Sequence, residues 1–376
     1  MALRLAVFLA AECIFNLGLG VFYLLYNLYL LDRGFEEGFL GLVSALLTAG
    51  SVCGTLPAGW FIARFGLNWA LRVTFASGAV VCALQAWAEG SAALLALSFA
   101  GGLAAAFRAV TIAPAVAQLS RQETRARAFS WFFALGIGMG ALAGVIGGQL
   151  PDRLGSKQSA LWAGCAFAAL ALLPALWLRF ARAQQPAVTY PRTAFVRRYL
   201  AAAAAWNLFL GAFPPFFNTY FARRLAAGTG AIGLIFSGSQ LAQVLAILAA
   251  PRIFRRLGLG RGIAGSQLAA ALLLTLLAPL WPMPAAGLFY ALYMAWQWMS
   301  EPGWHALLMN RVAPEEQSGA SSLNFFVILS AQAAAAALFG AGVTRLGYPA
   351  ALLSTAAAGV FAAAIFWRML ASTSER

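Results

Sequence analysis

Charge is scarce in this chain: only 10% of its 376 residues are Asp, Glu, Lys or Arg. A soluble domain carries roughly 25%, and here 62% of residues are hydrophobic, with a mean hydropathy of +0.80. Such a chain cannot cover itself with polar surface, which excludes an ordinary soluble domain. Its outside must face lipid, where only helices or closed barrels satisfy the backbone. Histidine occurs once, at His305, and cysteine four times, at Cys13, Cys53, Cys82 and Cys165, all within apolar runs and without a CxxC pair. That excludes a disulfide framework and a thiolate metal site. A lone histidine cannot supply a Ser-His-Asp arrangement or a histidine metal cluster, and there is no P-loop. No enzyme activity, metal or cofactor is therefore expected.

What the chain has is long apolar runs. A bilayer core needs about 20 apolar residues per helix. Breaking at charges, Gly and Pro gives spans 1 to 6 near 5–31, 37–62, 69–88, 91–119, 128–150 and 160–180. Spans 7 to 12 follow near 199–222, 229–254, 262–281, 284–309, 319–342 and 348–370. The first run is far longer than the core of a signal peptide and lacks a small-residue cleavage site, so it reads as a retained helix. The expected fold is all-α, twelve transmembrane helices in two pseudo-symmetric six-helix bundles: residues 1–180, a polar cytoplasmic linker at 181–198, and residues 199–376.

The net charge of +14 would suggest nucleic acid in a soluble protein, but these charges lie in short loops between the runs, and no nucleic-acid partner is expected. Of the 25 basic residues, eighteen fall on the face shared by the two termini. Six (Arg33, Arg153, Lys157, Arg223, Arg224 and Arg345) fall on the other, and Arg108 lies inside a span. The positive-inside rule then places both termini in the cytoplasm. The expected location is a bacterial cytoplasmic (inner) membrane, with lipid as the surrounding partner and a monomer as the unit.

The two halves repeat. Asn16, Gly20, Asn27 and Tyr29 match Asn207, Gly211, Asn218 and Tyr220 at a constant offset of 191. Gly41-Leu42 matches Gly233-Leu234 at 192, as do Arg64 and Gly66 with Arg256 and Gly258. Phe132-Phe133 matches Phe325-Phe326 at 193, and Arg153-Leu154-Gly155 matches Arg345-Leu346-Gly347 at 192. Collinear matches with a slow drift are what duplication with small indels leaves, and internal repeats of this kind point to transporter architecture.

With these repeats the whole chain resembles the major facilitator superfamily. The family's most specific signature, a Gly-x-x-x-Asp-Arg-x-Gly-basic-basic loop between spans 2 and 3, is met here by Gly59, Arg64 and Gly66. Ala63, Leu67 and Asn68 depart from it. The resemblance implies that this loop takes part in the conformational switch. Span 5 carries Gly136, Gly140, Gly144 and Gly148, a ladder that lets helix backbones approach closely. Its ending, Gly144 with Gly147-Gly148, is similar to a span-5 motif of the family's antiporters, though the proline of that motif is missing.

Ionisable groups inside a bilayer are costly, about 2.5–3.5 kcal/mol each on insertion scales, and default to functional candidates. Three charged ones stand out, Glu12, Arg108 and Glu301, on spans 1, 4 and 10. At 100° per residue, Glu12, Asn16, Gly20, Tyr23 and Asn27 lie within about 80° of one another on span 1. Gln297, Glu301 and His305 share one face of span 10. Asn207 and Asn218 repeat the theme on span 7, and span 8 adds Gln240 and Gln243. Together these are the candidate substrate- and proton-binding residues. The resemblance implies that spans 1, 4, 7 and 10 line a central cavity. Arg108 and Glu301 are separated by 193, the local repeat offset, and the resemblance implies that spans 4 and 10 converge when the cytoplasmic side closes, where the two could form a bridge across the halves.

The expected function is secondary transport of a small organic solute by alternating access, coupled to protons, with efflux antiport slightly favoured over uptake symport. The rival reading keeps the fold and makes it a carrier of a lipid, lysophospholipid or pigment without ion coupling.

Overall fold

The computed structural model describes residues 2–121, 125–180, 190–313 and 316–374. Helices α1 (Ala2–Asp32), α2 (Glu37–Phe65), α3 (Leu67–Trp87), α4 (Ser91–Leu119) and α5 (Arg125–Leu154) realise the first five expected spans. Span 6 is split into α6 (Lys157–Leu170) and α7 (Leu172–Trp177). Pro174 explains the split, because its ring opposes the carbonyl four residues back and it has no N–H to donate.

In span 7, α8 (Ala194–Leu210) ends at Gly211. A 3-10 turn at Pro214–Phe216 leads into α9 (Phe217–Leu225). Helices α10 (Thr229–Leu257) and α11 (Leu259–Leu276) form spans 8 and 9. Span 10 is broken at Ser300 into α12 (Met283–Met299) and α13 (Glu301–Met309), as Pro302 requires. The run α14 (Gln317–Ser374) is two spans, since Gly347 at φ 79° interrupts it. Among the described residues, ten helical stretches are long and apolar enough to cross a membrane, α6 with α7 and α8 with α9 each counting as one. Counting α12 with α13 as one span and α14 as two gives the twelve read from the sequence.

Residues 181–189 of the expected linker lie outside the described residues. Its last five residues, 194–198, are already helical. Thr193 caps them, its hydroxyl accepting the Val196 N–H at 3.3 Å, the usual way an orphan first-turn donor is satisfied.

The chain forms two compact units. One comprises Met1–Phe35, Leu46–Pro186 and Gly228–Ser237; the other comprises Glu36–Ala45, Ala187–Ala227 and Gly238–Arg376. In the first unit α1 packs on α5 and α6, and α3 packs on α4 and α6. In the second, α14 packs on α8 and α11, and α11 on α12. Buried Phe8, Phe15, Leu71, Phe75 and Phe132 build the core of the first. Trp206, Phe209, Phe213, Tyr290 and Tyr293 are buried in the second.

The duplication is legible in the backbone. Among the described residues, positive φ angles occur at six positions, and these pair at an offset of 192: Gly34 with Ala226, Gly66 with Gly258, and Gly155 with Gly347. All six end or begin helices, where the left-handed region stops the spiral. Side chains repeat as well. The Tyr29 hydroxyl donates to Ala86 O (3.2 Å) and Tyr220 to Leu277 O (2.8 Å). Arg33 donates to Ala88 O (2.6 Å) and Arg224 to Ala278 O (2.8 Å). In each unit a tyrosine and an arginine from one span hold the carbonyl end of another, satisfying acceptors that a helix terminus leaves open.

Candidate functional site

In the first unit α1 and α4 bring three of the expected residues together. Glu12 Oε2 accepts from Arg108 Nη2 at 2.7 Å and from Arg108 Nε at 3.1 Å. Arg108 Nη2 also donates to Asn16 Oδ1 at 3.1 Å. One turn apart on α1, Asn16 Nδ2 donates to the Glu12 carbonyl at 2.7 Å and lies 3.4 Å from Glu12 Oε2. The guanidinium carbon stands 5.8 Å from the Phe15 ring centroid, within cation–π range. The Glu12 side chain is 3% exposed and that of Arg108 25%. Both arginine contacts fall on one carboxylate oxygen, and Glu12 Oε1, also buried, has no hydrogen-bond partner in the protein.

The guanidinium is held by Glu12 and Asn16 inside its own unit, on the neighbouring helix. The other span-1 candidates stand apart: Tyr23 is exposed and sets its ring edge-on to Phe22, and Asn27 is half-buried.

In the second unit Asn207 repeats the local geometry of Asn16, its Nδ2 donating to Ala203 O at 2.9 Å. Ala203 is the counterpart of Glu12 at the offset of 191, so the carboxylate is absent from this half. Asn207 Oδ1 accepts instead from Gln332 Nε2 on α14 at 2.8 Å. Gln332 was not singled out in the sequence; its one signal is an amide in the middle of an apolar run. Gln243 Nε2 donates to Gln240 Oε1 at 2.7 Å and to Ser239 O at 3.2 Å. The Asn218 side chain accepts the Thr219 N–H at 2.9 Å, a local bond at the start of α9. Gln297 is buried near the end of α12, its Oε1 without a partner in the protein.

Glu301 opens α13 directly after the break at Ser300. Its carboxylate is 3.9 Å from His305 Nε2, with the two side chains 26% and 53% exposed. That distance is an ion-pair separation and too long for a hydrogen bond. Of the tryptophans near these positions, Trp206 and Trp304 are buried, Trp206 stacking on Phe209, whereas Trp131 and Trp298 are exposed.

The candidate switch residues divide. Gly66 has φ 84° and turns the chain from α2 into α3. Arg64 lies over the Trp60 and Phe65 rings at 6.0 and 5.8 Å. Asn68, standing where the signature has a basic residue, clamps the backbone of Phe180: Nδ2 donates to Phe180 O at 3.1 Å, and Oδ1 accepts its N–H at 2.9 Å. A methyl group added at Gly59 or Gly136 meets nothing within 4 Å, whereas at Gly148 it would come within 2.7 Å of Thr229 O and at Gly144 within 2.7 Å of Gly233 O. Gly144 and Gly148 are therefore contact glycines against α10, and Gly136 is not.

Comparisons with known proteins agree with this architecture. A family model, the Major Facilitator Superfamily, matches residues 8–213. No curated protein sequence matches significantly. The fold is similar to that of the nucleoside transporter NupG, with 17% identity and a TM-score of 0.80, covering 98% of this chain and 99% of that one. It is also similar to a D-xylose-proton symporter, with 15% identity, a TM-score of 0.76 and 97% of each chain covered. A bacterial homologue of the human lysosomal transporter Spinster gives 11% identity and a TM-score of 0.79, over 98% of this chain and 96% of that one. With the family model spanning more than half of the sequence, and a fold similar to that of these transporters, the chain belongs to the Major Facilitator Superfamily and is a membrane transporter, not an enzyme.

Proposed function

We propose that this transporter moves a small organic solute by alternating access, coupled to protons, with efflux antiport favoured over uptake symport. The observation that carries the coupling is the arrangement at Glu12. One carboxylate oxygen holds Arg108 while the other is buried and unpartnered. A proton taken up on Glu12 removes the charge that holds the guanidinium, and Arg108 is then free to turn to another acceptor. Glu301 is the second candidate carrier: it is a quarter exposed, and among the described residues its one partner at ion-pair distance is the His305 imidazole, which is charged only when protonated. Asn16, Asn207, Gln240, Gln243 and Gln297 supply neutral donors and acceptors for a solute. The similarity of the fold to that of a xylose-proton symporter is consistent with proton coupling. The glycine ending of α5 favours antiport. The unit is read as a monomer in a bacterial cytoplasmic membrane, with both termini on the cytoplasmic side.

The test is transport in proteoliposomes, using a solute found by a thermal-shift screen of metabolites, lipids and drugs. Flux should follow an imposed pH gradient at controlled membrane potential. Equal flux with and without the gradient would point to uniport or another ion.

A further inference from the structure

Helix α2 is shared between the units: Glu36–Ala45 belong to the second, and the remainder of α2 to the first. What attaches its first turns to the second unit is a pair of close backbone contacts and a cluster of polar side chains. A Cβ added at Gly41 would lie 2.7 Å from Ala336 O, and one at Gly340 would lie 2.5 Å from Glu37 O. No side chain larger than hydrogen fits this seam. Gly148 and Gly233 make the repeat-related contact within the first unit, where a Cβ at Gly148 would lie 2.7 Å from Thr229 O. The two seams are equivalent residue by residue at an offset of 192, including Glu37 and Thr229.

They differ in their polar groups. The Glu37 side chain is 6% exposed, and its Oε1 is 3.5 Å from Arg223 Nε on α9. It accepts from the Tyr348 hydroxyl on α14 at 3.3 Å. Tyr348 is bonded in turn to Thr219 Oγ1 at 2.7 Å, and Gly38 N donates to Thr344 Oγ1 at 2.8 Å. At the other seam the positions of Glu37 and Tyr348 are held by Thr229 and Ser156, and those of Thr219 and Arg223, at the local offset of 191, by Leu28 and Asp32. A buried carboxylate is retained where it is paired and hydrogen-bonded, and here its partners come from two other helices. We propose that Glu37, Arg223, Tyr348 and Thr219 form a polar latch that docks the N-terminal end of α2 on the second unit. The latch exists at only one of the two repeat-related seams: the other has no carboxylate at the position of Glu37, and there Ser237 Oγ donates to Ala141 O at 2.6 Å. Glu37 is thus a conformational determinant separate from the Glu12 and Glu301 sites.

The test needs no substrate. A Cβ at position 38 would lie 3.8 Å from Thr344 Cβ, the mean separation in disulfides, about 3.8 Å. The full-length variant Gly38→Cys with Thr344→Cys, in lipid nanodiscs, should therefore cross-link under a mild oxidant and reopen with reductant. Mass spectrometry identifies the bonded peptide among the native cysteines. Adding Glu37→Ala should slow cross-linking roughly tenfold, the effect of losing about 1.4 kcal/mol of docking. The near-isosteric Glu37→Gln and the milder Tyr348→Phe should slow it less, and Glu89→Gln, at an exposed site, not at all. Thermal unfolding of each variant in the same preparation separates undocking from misfolding. Half-times for Glu37→Ala, Glu37→Gln and Tyr348→Phe all within twofold of the parent would overturn the latch, whatever solute or ion the protein carries.

Discussion

Glu12 and Arg108 stand 96 residues apart in the chain and 2.7 Å apart in the fold, and Asn16 bonds to both. The second half has Ala203 and Glu301 at the corresponding places. Duplication therefore left a neutral ion pair in one unit and a carboxylate without the equivalent arginine in the other.

Removing one member of the first pair leaves the other charge poorly solvated. Complete burial would make that cost about 3–5 kcal/mol. Arg108 is a quarter exposed, and discounting for solvent gives about 2 kcal/mol for Glu12→Gln or Arg108→Gln. The double variant should lose less than the sum of the singles, with a coupling of about 1 kcal/mol or more. Thermal unfolding in detergent reads this, and additive losses would mean that the contact contributes nothing.

Glu301 and His305 should behave unequally. Their 3.9 Å separation is too long for a hydrogen bond, so the carboxylate does not depend on the imidazole for orientation. Glu301→Gln is expected to uncouple flux from the pH gradient by about tenfold or more, in the range of a lost proton-transfer group. His305→Ala should change it by less than about threefold, the scale of an exposed ion pair. Equal losses in the two variants would instead make them a relay.

Asn68→Ala removes both bonds to the Phe180 backbone. Each net hydrogen bond contributes about 0.5–1.5 kcal/mol. Hydrogen exchange at the Phe180 amide should therefore accelerate by about tenfold, while the amides of α3 beyond its first turn keep their protection. Unchanged exchange would show that Phe180 is held by other contacts.

Orientation is tested with single cysteines placed at Arg192 and at Glu89, both exposed in the structure. An impermeant thiol reagent should reach position 192 from the cytoplasmic side and position 89 from the opposite side. Reaction of both from one side would refute the twelve-span topology with cytoplasmic termini.

The sequence by itself determined the class and the architecture. Too few charges to make a soluble surface, apolar runs of bilayer length and a 191–193 residue repeat lead to twelve spans, because hydropathy and periodicity are properties of local stretches. Asn16 and Asn207 were legible as a repeated pair for the same reason. Tertiary structure alone decided who touches whom. Glu12 faces Arg108 because α1 lies beside α4, a neighbour relation that no repeat offset contains. Gln332 acquired its place only when α14 packed against α8. Glu37, lying at a helix end beside a loop, had the pattern of a solvated interfacial charge. It is buried because close glycine contacts draw the first turns of α2 into the second unit, where Arg223 and Tyr348 happen to reach it.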